Sequence, residues 1–352
     1  MIMRRRNIVT GLLVSVLGIS SLAFAQTPTP PPQPERGPGG KQAGHASVIK
    51  NKYGNGSKEY WIFEPDSPKP ASAPVVIFLH GWGGTNPLYY GAWIDHLVKR
   101  GNIVVYPRYQ ANILTAREFF IPNSIDGIKA AINTLQTEPG HVRPDLNRVA
   151  TVGHSLGGLL AASVAALASE SGLPRMRAVM SVEPGLTRAP AKVPLADLKK
   201  IPPETLLLAV AGDRDTLVDN EDAKRIYYES TRVSAGNKDF VELVTDDHGR
   251  PGLFASHRAP TAPDKAYDNG EGNRMEPAQS GGVSGQVRAD GRIPDVNALD
   301  YYGLWKLFDG LTDAAFFGKN RAYALGNTPQ QRFMGKWSDG VPVKELIVTD
   351  KP

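Results

Sequence analysis

Val149-Ala150-Thr151-Val152-Gly153-His154-Ser155-Leu156-Gly157-Gly158-Leu159-Leu160 is the stretch whose reading decides the fold. Val149 to Val152 is a short β-rich run, and the Ala- and Leu-rich segment Leu159 to Ala168 has the composition of a buried helix. Between them stands Gly153-His154-Ser155-Leu156-Gly157, a Gly-x-Ser-x-Gly turn in a strand-turn-helix setting. Such a turn strains the backbone so that the serine hydroxyl is presented above the end of the strand. Glycines two before and two after it let neighbouring backbone pass without a Cβ clash. The helix start behind the serine points peptide N–H groups and a partial positive charge toward a developing anion. Ser155 is therefore the candidate nucleophile.

Working outward, the same continuous apolar pattern recurs at Val75 to Leu79, Ile103 to Tyr106, Ala178 to Val182, Leu206 to Val210 and Phe240 to Val244. Runs of this kind belong to strands buried on both faces of a parallel sheet. Helical segments lie between them, clearest where Ile125, Ile128, Ala131, Ile132 and Leu135 recur at helical spacing. Strand and helix in alternation predict a wound α/β sheet with helices on both faces. Ahead of it, Ala46 to Lys50 and Lys58 to Phe63 flank Tyr53-Gly54-Asn55-Gly56 and predict an antiparallel hairpin with an Asn-Gly turn. The Gly-rich loop His80-Gly81-Trp82-Gly83-Gly84 after Val75 to Leu79 can offer peptide N–H to a tetrahedral oxyanion, and Trp82 N–H with Leu156 N–H form the expected pair.

The chain has 352 residues, 41% of them hydrophobic and 21% charged, which are ordinary globular values. Residues 1–25 join Arg4, Arg5 and Arg6 to an apolar stretch, Ile8 to Phe24, and close on Ala23-Phe24-Ala25, the pattern of a cleaved export signal. Thr10, Gly11, Ser15, Gly18, Ser20 and Ser21 interrupt the stretch, which argues against a lasting membrane span. The expected location is periplasmic or extracellular. Three of the net +5 charges leave with the signal, so the remainder is near +2 and carries no basic footprint for nucleic acid. With no cysteine, disulfides and thiolate chemistry are excluded. Residues 26–46, with Pro28, Pro30, Pro31, Pro32 and Pro34, read as a linker or disordered tail, and residues 47–352 as one domain. Within it, residues 258–297 form a long Gly-rich loop and residues 298–317 a late helix. No metal-ligand spacing and no phosphate loop stands out, so no cofactor and no metal is assigned.

A His-Gly loop, a Gly-x-Ser-x-Gly elbow and a downstream Gly-x-x-Asp, Gly212-Asp213-Arg214-Asp215, in this order resemble the α/β-hydrolase family over roughly residues 47–352. The resemblance implies a mostly parallel central sheet, a Ser-His-Asp triad and cleavage of a carboxylic ester through an acyl-enzyme. Asp215 matches the family's acid, with Glu183, at the end of the preceding strand, as the alternative and Asp213 as a turn residue. The family order Ser, acid, His leaves His248 and His257. His248 is preferred because Thr245-Asp246-Asp247-His248-Gly249 directly follows the strand Phe240 to Val244, and His257 is the alternative base. The expected substrate is a small-molecule or lipid-like ester, with Tyr89, Tyr90, Trp93, Tyr109, Tyr301 and Trp305 as candidate pocket walls. Rival readings are a non-catalytic binding protein on the same scaffold and a peptidase or thioesterase.

Overall fold

The six apolar runs all become strands of one nine-stranded sheet. The computed structural model describes residues 27–186, 194–270 and 296–352; residues 1–25, read above as an export signal, and most of the Gly-rich loop lie outside them. In chain order the strands are β1 (Ser47–Tyr53), β2 (Tyr60–Asp66), β3 (Ser72–Leu79), β4 (Ile103–Pro107), β5 (Arg143–His154), β6 (Met176–Val182), β7 (Leu206–Gly212), β8 (Lys238–Leu243) and β9 (Ile347–Thr349). Their spatial order is β1-β2-β4-β3-β5-β6-β7-β8-β9. The stretch from β4 to β8 is parallel throughout, while β1, β2 and β9 run antiparallel to their neighbours. Parallel pairing needs crossovers, and helices supply them.

Two layers of helix sandwich this sheet. Along β3, Val76 and Phe78 face one apolar cluster, shared with Trp93, Leu97, Phe308 and Leu311, whereas Val75, Ile77 and Leu79 face the other, shared with Ile128, Ile132, Leu160 and Ile226. The first cluster belongs to α1 (Gly91–Lys99) and α5 (Lys306–Phe317). The second belongs to α2 (Phe120–Thr137), α3 (Leu156–Leu167) and α4 (Glu221–Glu229). Two-residue alternation thus feeds two cores at once, which is why these strands read as unbroken apolar runs. The fold is that of an α/β hydrolase. No helix of the described residues is long and apolar enough to cross a membrane.

Four features depart from the sequence reading. The β1–β2 hairpin pairs Tyr53 with Tyr60, so its connection is a six-residue excursion with a 3-10 turn at Gly56–Lys58, wider than an Asn-Gly turn. Asn55 is extended, and the positive φ falls on Gly54 and Gly56 instead. Residues 27–46 are no loose tail. Pro28 O accepts Arg250 N at 2.8 Å, Thr29 O accepts Ser338 N at 3.0 Å, and Gly39 N donates to Asp309 Oδ2 at 2.7 Å. Extended proline-rich backbone forms no helical ladder of its own, so its carbonyls are available to accept from a neighbouring surface. The late helix begins with a π-helical stretch, Leu299–Trp305, before α5. Trp93, Tyr90 and Tyr109 are wholly buried, which makes them core residues rather than pocket walls.

Candidate active site

Backbone geometry at the β5–α3 junction explains the pentapeptide. Ser155 adopts φ 57° and ψ −125°, a conformation that costs a non-glycine residue about 1–3 kcal/mol. A Cβ on Gly153 would meet Gly157 O at 2.0 Å, and one on Gly157 would meet Leu79 O at 1.9 Å, so both positions demand glycine. Ser155 N donates to Val182 O at 2.9 Å, tying the turn to the end of β6.

The end of β7 supplies the acid. Asp215 Oδ1 accepts Leu217 N and Val218 N at 2.9 and 3.1 Å, and its Oδ2 lies 2.7 Å from His257 Nδ1. The opposite ring nitrogen, His257 Nε2, is 2.9 Å from Ser155 Oγ. With Nδ1 donating to the carboxylate, Nε2 is the free lone pair and the serine hydroxyl donates to it, or alternately to Gly185 O at 3.2 Å. All three side chains are buried. Asp213 spends its carboxylate on Thr245, accepting the peptide N–H at 3.0 Å and the hydroxyl at 2.5 Å, and so ties the ends of β7 and β8 together.

The preference for His248 gives way to His257. His248 Nε2 pairs with Asp339 at 2.7 Å, each about a third exposed, and its ring packs on Trp337. The reason is a local excursion. Asp246 and Leu253 exchange two backbone hydrogen bonds of 2.8 Å, folding residues 247–252 outward, and the chain returns to the sheet only where Ala255 O accepts Arg214 N at 3.0 Å. The histidine that reaches Ser155 therefore comes nine positions later than a direct path from β8 would put it.

Glu183 is also at the site. It is fully buried at φ 43°, and Oε2 stands 3.7 Å from both His257 Nδ1 and His154 Nε2. Among the described residues neither of its oxygens accepts a hydrogen bond, a cost of roughly 1–3 kcal/mol for an unpaired buried group. Burial, and then the nearby Asp215 charge, push its carboxyl well above the usual carboxylate range. Burial, and then His257, pull His154 well below the usual histidine range, so His154 is neutral. Sequence reasoning missed His154 and Tyr90 as structural parts of the site. His154 Nδ1 is 2.9 Å from Tyr90 Oη, which accepts Gly81 N at 3.0 Å, linking the elbow to the Gly-rich loop. Tyr90 sits 64 positions from His154, and no local pattern announces that contact. His154, Glu183 and His257 offer potential metal-ligand atoms within 4.8 Å of one another, although Nδ1 of His257 is already committed to Asp215.

The Gly-rich loop after β3 is braced from several sides. His80 stacks on Tyr109 with ring centroids 4.1 Å apart, and its ring nitrogens face Gly81 O and Arg108 O at 2.7 Å each. Gly83 N donates to Gln110 Oε1 at 2.9 Å and Gly84 N to Gly81 O at 2.8 Å. With Gly81 N held by Tyr90, Trp82 N is the amide of this loop that donates to no group among the described residues. Leu156 N and Gly157 N, at the open start of α3, are likewise uncommitted there, as first-turn helix amides are.

Two comparisons with known proteins bear on this arrangement. The family model described as Chlorophyllase matches residues 39–195, a span that holds the Gly-rich loop and the elbow but stops before Asp215 and His257. Esterase LipI of Mycobacterium tuberculosis (strain ATCC 25618 / H37Rv) is 34% identical over 122 residues, which is 34% of this chain and 36% of that protein. The matched region thus spans about a third of the esterase. With the mostly parallel nine-stranded sheet and the elbow after β5, these likenesses show that the chain belongs to the α/β-hydrolase superfamily.

Proposed function

We propose that this chain is an exported serine hydrolase that cleaves a carboxylic ester through an acyl-enzyme. The single observation that carries the reading is the hydrogen-bonded line Asp215–His257–Ser155, at 2.7 and 2.9 Å. A serine hydroxyl is a weak nucleophile until a base takes its proton. His257 Nε2 takes it as Oγ attacks the carbonyl carbon, and Asp215 holds the ring and stabilises the imidazolium without itself becoming protonated. The oxyanion goes to the N–H groups of Trp82 and Leu156. Collapse expels the alcohol, which receives the proton from His257, and water repeats the sequence to release the acid. The names Chlorophyllase and Esterase LipI favour an ester over an amide or thioester. Export is supported by the arginine cluster, apolar stretch and Ala-Phe-Ala ending of residues 1–25.

The test is release of p-nitrophenol from acetate, butyrate and octanoate esters, with labelling by a fluorophosphonate, for the native chain beside Ser155→Ala. Turnover and labelling that both vanish in Ser155→Ala are expected. An inert native chain that takes no label overturns the reading in favour of a binding protein on this scaffold.

A further inference from the structure

Lys238, Arg258 and Lys306 are the lysines and arginines buried among the described residues. A buried cation is costly unless hydrogen-bond acceptors replace its water. The two lysines have such acceptors. Lys238 Nζ donates to Tyr227 O at 2.8 Å and Ser230 O at 3.1 Å, and Lys306 Nζ donates to Gln331 O at 2.7 Å and Phe333 O at 2.6 Å. Arg258 departs from this pattern. It is only 8% exposed, yet its Nε and Nη2 donate to no group among the described residues. Burial pulls the guanidinium down to about 10, which leaves it charged at neutral pH.

The chemistry of those two nitrogens is specific. Nε and Nη2 share one edge of the planar guanidinium, where their N–H bonds run side by side and match the two oxygens of a carboxylate. The position in the chain is equally particular. Arg258 directly follows His257, whose Nε2 reaches Ser155 Oγ at 2.9 Å. The turn that carries both residues is pinned by Ala259 N on Ser256 O at 2.7 Å, Thr261 N on Arg258 O at 2.8 Å and Ala262 N on Tyr89 O at 3.0 Å. Those bonds use only the backbone of Arg258, so the turn itself has no need of a guanidinium.

We propose that Arg258 is a specificity-determining residue that pairs, through its Nε–Nη2 edge, with a carboxylate carried by the ester substrate. The proposal rests on the serine-hydrolase reading above and names the substrate class for that site: an anionic ester, such as the half-ester of a dicarboxylic acid. Both nitrogens are closed to solvent, so the side chains over them move aside as the carboxylate enters. The pair then forms away from water, where a charge-assisted hydrogen bond is strongest. A neutral ester brings no group to offset the buried charge and is the poorer substrate.

The experiment measures kcat/KM, by titration of the released acid, for the monomethyl esters of succinic, glutaric, adipic and suberic acids and for the methyl esters of the monocarboxylic acids of equal carbon number. A second series places the carboxylate on the alcohol side, comparing acetates of ω-hydroxy acids with alkyl acetates. The native chain, Arg258→Met and Arg258→Lys are compared, with circular dichroism reporting that each folds. At the best-fitting length in one series, the native chain is expected to favour the anionic ester by about tenfold or more. Arg258→Met should bring that ratio to about one, and Arg258→Lys, which keeps the charge without the paired edge, should fall between. A native ratio near one at every length in both series overturns the proposal, as does a preference that Arg258→Met retains. If Arg258→Met does not fold, the native series and Arg258→Lys decide, and an undiminished preference in Arg258→Lys overturns it. A native chain inert toward every ester and toward fluorophosphonate sinks the serine-hydrolase reading itself, whereas an active native chain without the preference sinks only the role of Arg258.

Discussion

The elbow after β5 and the connection after β8 deliver the two atoms that meet at 2.9 Å, and they do so by opposite means. At the elbow, five consecutive residues fix the geometry: two glycines at which any Cβ would stand about 2 Å from a backbone oxygen, a strained serine, and a helix start behind it. The β8 connection spans Val244 to His257, and its reach is set by contacts to other parts of the chain: Asp213 on Thr245, Arg214 N on Ala255 O, Trp337 Nε1 and Lys344 N on Asp246. A nucleophile is built by local backbone strain, a base by tertiary delivery. Substitutions should therefore act differently on the two sides.

The largest expected effects are on the meeting atoms themselves. Ser155→Ala and His257→Ala should each lower kcat by about 10⁵-fold or more with little change in melting temperature, read by ester turnover and thermal unfolding. Equal activity in native and His257→Ala proteins would break the comparison, since the base would then lie elsewhere. Next, Asp215→Asn should cost about 10⁴-fold near neutral pH by losing the tautomer control. Its neighbour Asp213→Asn should cost under about tenfold, and mainly stability, because its hydrogen bonds join two strand ends rather than orient the base.

Gly157→Ala sharpens the local side of the comparison. A Cβ placed 1.9 Å from Leu79 O cannot be absorbed by a side-chain shift, and a loss of more than about 3 kcal/mol in denaturant unfolding is expected.

How much of this was legible in the sequence follows the same division. The elbow, the six central strands and the Gly-rich loop could be read because each is a pattern of neighbours: an apolar run, a glycine spacing, a turn between strand and helix. Asp215 was readable for a similar reason, standing three residues after Gly212 at a strand end. His257 was not preferred because the outward fold of residues 247–252 depends on Trp337, Lys344 and Asp339, about 90 to 100 positions away. β9 escaped notice as a three-residue edge strand. The packing of residues 27–46 was hidden because its partners, Arg250, Asp309 and Ser338, are remote and its own composition is that of a flexible spacer.

Smaller effects probe that packing and the surface histidine. For Asp309, burial alone would raise the carboxyl, but His96, Arg100 and the Gly39 amide outweigh it and hold it below its usual value. A depressed folded-state value contributes stability above the unfolded-state value and loses it as pH falls through the folded one. Asp309→Asn should therefore lower stability by about 2 kcal/mol at neutral pH, and the difference from native should shrink below about pH 4, read by urea unfolding across pH. A difference that persists unchanged into acid would show that shape rather than charge is at stake. Last, His248→Ala should leave turnover within about twofold and stability within about 1 kcal/mol, as expected for a partly exposed ion pair.

The strap of residues 27–46 gives the molecule a seam in time as well as in space. The amide of Gly39 meets a partner 270 positions later, and Thr29 one 309 positions later. During synthesis from the first residue onward, these contacts cannot form until nearly the whole chain exists, so the earliest-made part of the domain is the last to be placed. Once placed, it closes over helices assembled without it and is the part that can come away while they stay packed. Limited proteolysis should then cut between residues 27 and 46 before it cuts anywhere in the central sheet.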